Sequence, residues 1–201
     1  MKIVRETKIF QGLVLRSFPY GDSDLILKII TDTSGKVGVI ARRARESRKR
    51  TGVGTPDLFD QGTIQVTVSS GSLLTLKEFT LNESFRPKCD YIDGVTCASV
   101  LAETADSLIP ENADCGDSPF RILKLSLEAL SEATSRKTAL RATFMGIANL
   151  LIDSGFLPEQ SKPSPTSNGL RELLDLVERA TEKKLVTKSS VAQMLELLKG
   201  A

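Results

Sequence analysis

Between residues 62 and 69 the side chains alternate, with Ile64, Val66 and Val68 interleaved with Thr63, Gln65 and Thr67. A period of two predicts a half-buried strand. Four more extended segments share this stretch of chain. Residues 8–18 end at a Pro19-Tyr20-Gly21-Asp22 turn, and residues 24–31, nearly all apolar, end at Asp32-Thr33-Ser34-Gly35. Residues 36–41 form the third strand, and residues 73–80 follow the fourth after a Ser70-Gly71 turn. Nothing between these strands is long enough to be a βαβ crossover helix, so five short strands predict a small closed barrel of the OB type. An SH3-like barrel is the nearest rival.

Beyond Phe85-Arg86-Pro87 the period becomes helical. A helix over 95–109 is bounded by Pro110, and one over 118–132 starts with Ser118 as N-cap and Pro119 in the first helical position. The helix over 136–153 sets Leu140, Phe144, Ile147 and Leu151 on one face and stops at Gly155. It is the strongest amphipathic pattern in the chain. The polar Pro/Ser loop 161–169 separates it from a helix carrying Leu170, Leu173, Leu174 and Val177. A last helix, capped by Ser189, carries Val191, Met194, Leu195 and Leu198. The expected class is α+β: an OB barrel over residues 1–82, a helical domain over 83–201, and a joint near 83–92.

The totals narrow the functions open to such a chain. With 201 residues, 40% hydrophobic and 26% charged, it is of ordinary globular composition. No run approaches the length of a membrane span, and the first ten residues, MKIVRETKIF, have no apolar core or cleavage site of an export signal. A cytoplasmic location is expected. Cys89, Cys97 and Cys115 are odd in number and contain no CxxC pair, which argues against a disulfide framework and a zinc knuckle. The absence of histidine removes the commonest general base and the commonest zinc ligand. No catalytic residue, metal or cofactor is expected. The net charge of +2 conceals an asymmetry: residues 1–80 hold 13 Lys/Arg against 8 Asp/Glu (+5), and residues 81–201 hold 14 against 17 (−3). A locally basic barrel attracts polyanions even when the whole molecule is nearly neutral.

The sharpest chemical feature is ARRARESRKRTG, in which Arg42, Arg43, Arg45, Arg48, Lys49 and Arg50 are opposed only by Glu46. Six cations engaging a single strand would give a log–log salt slope of about −4. Arginine outnumbers lysine five to one there, and its planar fork pairs with phosphate or stacks on bases in ways lysine does not. The competing interpretation is a solvated loop that serves only solubility. Phe18, Tyr20, Phe59, Phe79 and Phe85 are the aromatics within reach of a ligand on such a barrel, with most expected in the core. Gly52 and Gly54 precede neither a Lys-Ser/Thr pair nor a helix, so they do not make a phosphate loop. Asp22, Asp24 and Asp32 sit beside turns and fit turn capping better than metal binding.

Taken together, LVLRSFPYGDSDLILKIITDTSGKVGVIARRARESRKR resembles the N-terminal signature of the RecO recombination mediators. That signature is a strand, a Pro-Tyr-Gly-acid-Ser-Asp turn, an apolar strand, Thr-Asp-x-x-Gly, another strand and a basic run. Further on, LRATFMGIANLLIDSGFLPE is similar to the helix and Gly-aromatic-x-Pro exit of the family's helical domain. The resemblance implies an OB domain followed by helices, acting in recombinational repair without turnover. It implies binding of single- and double-stranded DNA, annealing of complementary strands, and partnership with RecR and the single-stranded-DNA-binding protein, through which RecA is loaded. On that footing the six basic residues become DNA contacts. Arg121, Lys124, Arg136 and Arg141 become candidates for the acidic, apolar-ended tail of the single-stranded-DNA-binding protein. Many relatives carry a four-cysteine zinc module after the Gly-aromatic-x-Pro segment, where this chain reads EQSKPSPTSNG. Zinc is therefore not expected. An adaptor with incidental DNA affinity and an RNA-binding OB protein are the alternatives from other classes.

Overall fold

The architecture below is that of a computed structural model, described for residues 6–45, 55–68, 71–86, 92–113 and 115–197. The chain forms two compact units. One comprises Met1–Ser84 with Pro110–Phe120, the other Phe85–Ile109 with Arg121–Ala201.

In the first unit, β1 (Thr7–Tyr20), β2 (Asp24–Thr31), β3 (Lys36–Ala41), β4 (Asp60–Thr67) and β5 (Leu74–Ser84) close a barrel in the order β1-β2-β3-β5-β4. Closure comes from β1, which pairs antiparallel with β2 through one half and with β4 through the other. Its register shifts between Val14 and Arg16, a bulge that bends the strand so that it serves both neighbours. The β3–β5 pair, parallel at Val39↔Leu74 and Ile40↔Thr75, is the long-range contact that separates this OB topology from a simple meander. Alternate positions fill the interior: Phe10, Val14, Leu27, Ile29, Val37, Val39, Ile64, Val66 and Phe79 are all buried there. Gly12 faces Gly62 across the β1–β4 pair. A Cβ on Gly12 would lie 2.5 Å from Ile64 Cδ1, so the tight barrel wall needs glycine at this point.

The segment Pro110–Phe120 belongs to this first unit although it follows a helix of the second. Asn112 N–H donates to Lys36 O at 2.8 Å, and Glu111 accepts a hydrogen bond from Lys28 Nζ on β2. At Gly35, φ is +59° and a Cβ would fall 2.2 Å from Ala113 O, so glycine there allows this close approach. The single boundary expected near residue 82 is thus crossed again at 109/110 and 120/121.

The helical unit is built from α1 (Ile92–Leu108), α2 (Ser118–Ser131), α3 (Arg136–Asp153), α4 (Ser167–Thr181) and α5 (Lys188–Leu197), with a 3-10 turn at Glu159–Ser161. On α3 the expected face is present but wider than the stripe: Phe144, Ile147 and Leu151 are buried and Leu140 half-buried, while Lys137, Arg141 and Met145 are exposed. The small residues Ala139, Thr143, Gly146 and Ala148 are buried along with Phe144, Ile147, Leu150 and Leu151, which broadens that face. A Cβ at Gly146 would meet Leu101 Cδ2 at 2.5 Å and Ser126 Oγ at 2.7 Å, so α3 passes close to α1 and α2 there. Its start is a Ser135/Thr138 capping box. The most sharply one-sided helix is α4, with Leu170, Leu173, Leu174 and Val177 buried while Glu172, Asp175 and Arg179 are exposed. Ser118 and Ser189, expected as N-caps, lie inside the first turns of α2 and α5. Leu198 lies outside the described residues. The loop 161–169 ends as a helix cap, Thr166 Oγ1 accepting from Gly169 N–H at 3.1 Å.

Buried carboxylates tie parts of this unit together. Glu103 on α1, 5% exposed, accepts from Val186 N–H (3.0 Å), Thr187 N–H (2.9 Å) and Thr187 Oγ1–H (2.6 Å) and so fixes the α4–α5 connection. Arg136 Nε–H donates to Asp93 Oδ2 at 2.6 Å, with Asp93 buried. Among the described residues no helix is long and apolar enough to cross a membrane.

Candidate nucleic-acid interface

One end of the barrel collects the β1–β2 turn and the exit of β3. Their proximity is set by register: Tyr20 pairs with Asp24, Pro19 with Leu25, and Leu25 in turn with Ala41. Immediately after Ala41 the chain turns, with Ala44 buried against the barrel core and Arg42, Arg43 and Arg45 exposed. An alanine that buries while its arginine neighbours remain in solvent is how the sequence ARRAR becomes a cationic knuckle.

Asp24 sets the shape of that knuckle. Its Oδ1 accepts from Arg43 N–H at 2.8 Å, and its Oδ2 lies 3.9 Å from Arg42 Nη1. Arg43 sits at φ +54°, a left-handed conformation that non-glycine residues seldom adopt without support. Arg45 N–H donates to Ser23 O at 2.9 Å, so two hydrogen bonds tie the arginine turn to the β1–β2 turn. The sequence identifies Asp24 as a turn-capping residue; the structure adds that the turn it caps belongs to another strand. The Arg42 side chain remains 68% exposed despite its ion pair, so its guanidinium stays accessible to a phosphate. Arg48, Lys49 and Arg50, together with Glu46, Gly52 and Gly54, lie outside the described residues.

The aromatic candidates separate cleanly. Phe59, Phe79 and Phe85 are buried, whereas Phe18 and Tyr20 are 42% and 54% exposed at the same end of the barrel as the arginines. Cys97 is buried, Cys115 half-buried, and Cys89 lies outside the described residues.

On the helical unit, Arg121 and Arg141 are exposed and Lys124 half-buried, while Arg136 is engaged with Asp93. Arg141 borders a groove of about 410 Å³ between α2 and α3, lined by Ile122, Leu125, Ala142 and Met145. Leu125 and Met145 are exposed there. Neither was singled out from the sequence, because each stands off the buried stripe of its helix; apolar residues at such positions were the available signal. A second cavity of about 500 Å³ is bordered by Lys137, Arg141, Phe144, Thr166 and Leu170.

Comparison with known proteins addresses the barrel and part of the helices. The family described as "Recombination protein O N terminal" matches residues 4–85. The chain is similar to the DNA repair protein RecO of Anaeromyxobacter sp. (strain K), 35% identical over 136 residues that cover 67% of this chain and 53% of that protein. It is also similar to the DNA repair protein RecO of Symbiobacterium thermophilum, 32% identical over 148 residues (73% and 56%), and to that of Bacillus pumilus, 31% identical over 150 residues (74% and 56%). The chain thus spans about half the length of the curated relatives it matches. An OB barrel matched by the family's N-terminal domain, together with relatives whose similarity runs on into the helices, places this chain among the RecO-type proteins.

Proposed function

We propose that this protein is a non-enzymatic recombination mediator that binds single- and double-stranded DNA, anneals complementary strands and helps to load RecA in recombinational repair. The observation that carries the proposal is the knuckle at Arg42, Arg43 and Arg45, three exposed cations presented in one turn held by Asp24. A backbone grip of this kind leaves base edges able to pair, and it lowers the repulsion between two strands brought together. Arg48, Lys49 and Arg50 extend the same basic run and belong to the proposed contact. In this scheme the barrel, residues 1–82, holds DNA and the helical part, residues 83–201, recruits partners.

RecR and the single-stranded-DNA-binding protein are the proposed partners. An acidic tail ending in apolar residues has its complement in the α2–α3 groove, where apolar walls stand beside Arg141; Arg121 and Lys124 lie on α2. A protein with this role works in the cytoplasm, on the nucleoid. It needs no cofactor and no metal.

The test is a salt titration of single-strand binding by the full chain and by Arg42→Ala/Arg43→Ala/Arg45→Ala. Three lost phosphate contacts should flatten the log–log slope by about 2 and weaken binding at low salt. Unchanged affinity and slope would remove the knuckle as the site. A fluorescence annealing assay with complementary oligonucleotides reads the second half of the proposal.

A further inference from the structure

Phe18 and Tyr20 are the exposed aromatics of the first unit, and neither contributes to the barrel core. They lie two residues apart on β1, beyond the bulge, so period-two geometry sets both rings on the same outer side of the strand. Pro19 between them faces the other way. Tyr20 is paired with Asp24, the residue that accepts from Arg43 N–H, and Phe18 with Ile26 one step further along β2. The two rings therefore continue directly from the arginine turn.

Spacing decides what such a pair accommodates. Residues i and i+2 of a strand are about 7 Å apart. Successive bases in a duplex rise about 3.4 Å per strand, half that distance, and are already stacked on each other. A single strand with splayed bases matches the ring spacing, and every base offers a face to stack.

We infer that Phe18 and Tyr20 form a stacking platform for two unpaired nucleobases of single-stranded DNA, so that this end of the barrel favours single strands over duplex. The inference rests on the proposed DNA-binding function and adds a base-dependent term to its phosphate grip. Strand selectivity then has a physical source: the arginines hold either form, while the aromatic pair rewards only unpaired bases.

The experiment compares full-length wild type, Phe18→Leu, Tyr20→Leu and Tyr20→Phe for binding to three labelled probes by fluorescence anisotropy. The probes are an oligothymidine, an abasic strand of equal length and a duplex. Wild type should bind the oligothymidine more tightly than the abasic strand, because the two share phosphates and differ in bases. Each Leu variant should lose about 5- to 150-fold on oligothymidine and little on the abasic strand or duplex, while Tyr20→Phe, which keeps the ring, stays near wild type. Equal binding of oligothymidine and abasic strand by wild type overturns the inference and leaves the phosphate grip standing. A Leu variant that keeps the wild-type melting curve and weakens all three probes equally also overturns it. Failure of wild type to bind any probe refutes the DNA-binding function itself.

Discussion

Replacing Asp24 separates two effects that the wild-type side chain combines. Its Oδ2, 3.9 Å from Arg42 Nη1, opposes a cation that the proposed function assigns to phosphate. At about 4 Å in a water-like dielectric such a pair is worth about 1 kcal/mol, and exposed pairs measure 0 to about 1 kcal/mol. Asp24→Asn removes this competition and keeps an oxygen for Arg43 N–H. It should tighten single-strand binding by up to about 5-fold and steepen the log–log salt slope by about 0.7, as one more guanidinium becomes available. Asp24→Ala also removes the charge but leaves Arg43 N–H without its acceptor at a left-handed residue. Loss of that bond should cost about 1 to 2 kcal/mol, lowering the melting temperature by roughly 2 to 8 °C, and should let the turn spread. Binding by Asp24→Ala should therefore fall below that of Asp24→Asn. Anisotropy titrations across salt, paired with thermal melts, measure both quantities. If Asp24→Asn binds more weakly than wild type at low salt with an unchanged melting temperature, the reasoning is refuted.

Three further outcomes concern buried and paired side chains. Glu103→Ala strands three donors of the α4–α5 connection and should cost about 3 kcal/mol, read as a shifted urea midpoint with little change in slope; a shift near zero refutes the anchoring role. Burial pushes the Cys97 thiol up to about 11, so at pH 8 it should resist a thiol reagent in the native protein and react once unfolded, with half-buried Cys115 modified earlier. Glu178 is held below its ordinary value chiefly by a hydrogen bond from Lys188, and Lys188 is raised chiefly by Asp175 and then by Glu178. The carboxylate's contribution to stability is present above about pH 4.5 and lost as pH falls through its lowered folded value. The ammonium's is present below pH 10.5 and lost as pH rises through its raised folded value. Lys188→Met should flatten the dependence of the melting temperature on pH at the acidic limb, and an unchanged limb would show the contact to be idle.

Where side chains announce their environment, the sequence was readable. The bounds of β2, β3 and α3 follow from apolar runs closed by Asp-x-Ser-Gly, by the arginine cluster and by Gly155. Polar ladder residues obscured other bounds. Expected at 62–69, β4 runs Asp60–Thr67, because Asp60 and Gln61 pair with Ser84 and Glu83 through backbone groups that carry no hydrophobic mark. The same pairing extends β5 to Ser84. The buried face of α3 is wider than its apolar stripe because Ala139, Thr143, Gly146 and Ala148 are small enough to be buried without standing out as apolar positions. Half of the candidate interface was legible as charge: Arg42, Arg43 and Arg45 stood out at once. What charge could not show is that Asp24, 19 residues from Arg43, would be the group that shapes the turn. Register brings the two together, and register is written in the whole barrel.

The return of Pro110–Phe120 to the first unit bears on how the molecule is made. A nascent chain ending at Ser84 already contains every barrel strand, yet it lacks Glu111 for Lys28 and Asn112 for the Lys36 carbonyl. Those partners arrive only with the 28 residues from Phe85 to Asn112, which include all of α1. At ordinary elongation rates that is a wait of about 1 to 6 s, during which the β2–β3 end of the barrel is unfinished. The order of synthesis thus commits the cell to making a helix of the second unit before the first is complete, so neither unit can be exchanged between proteins as a simple cut at one point in the gene.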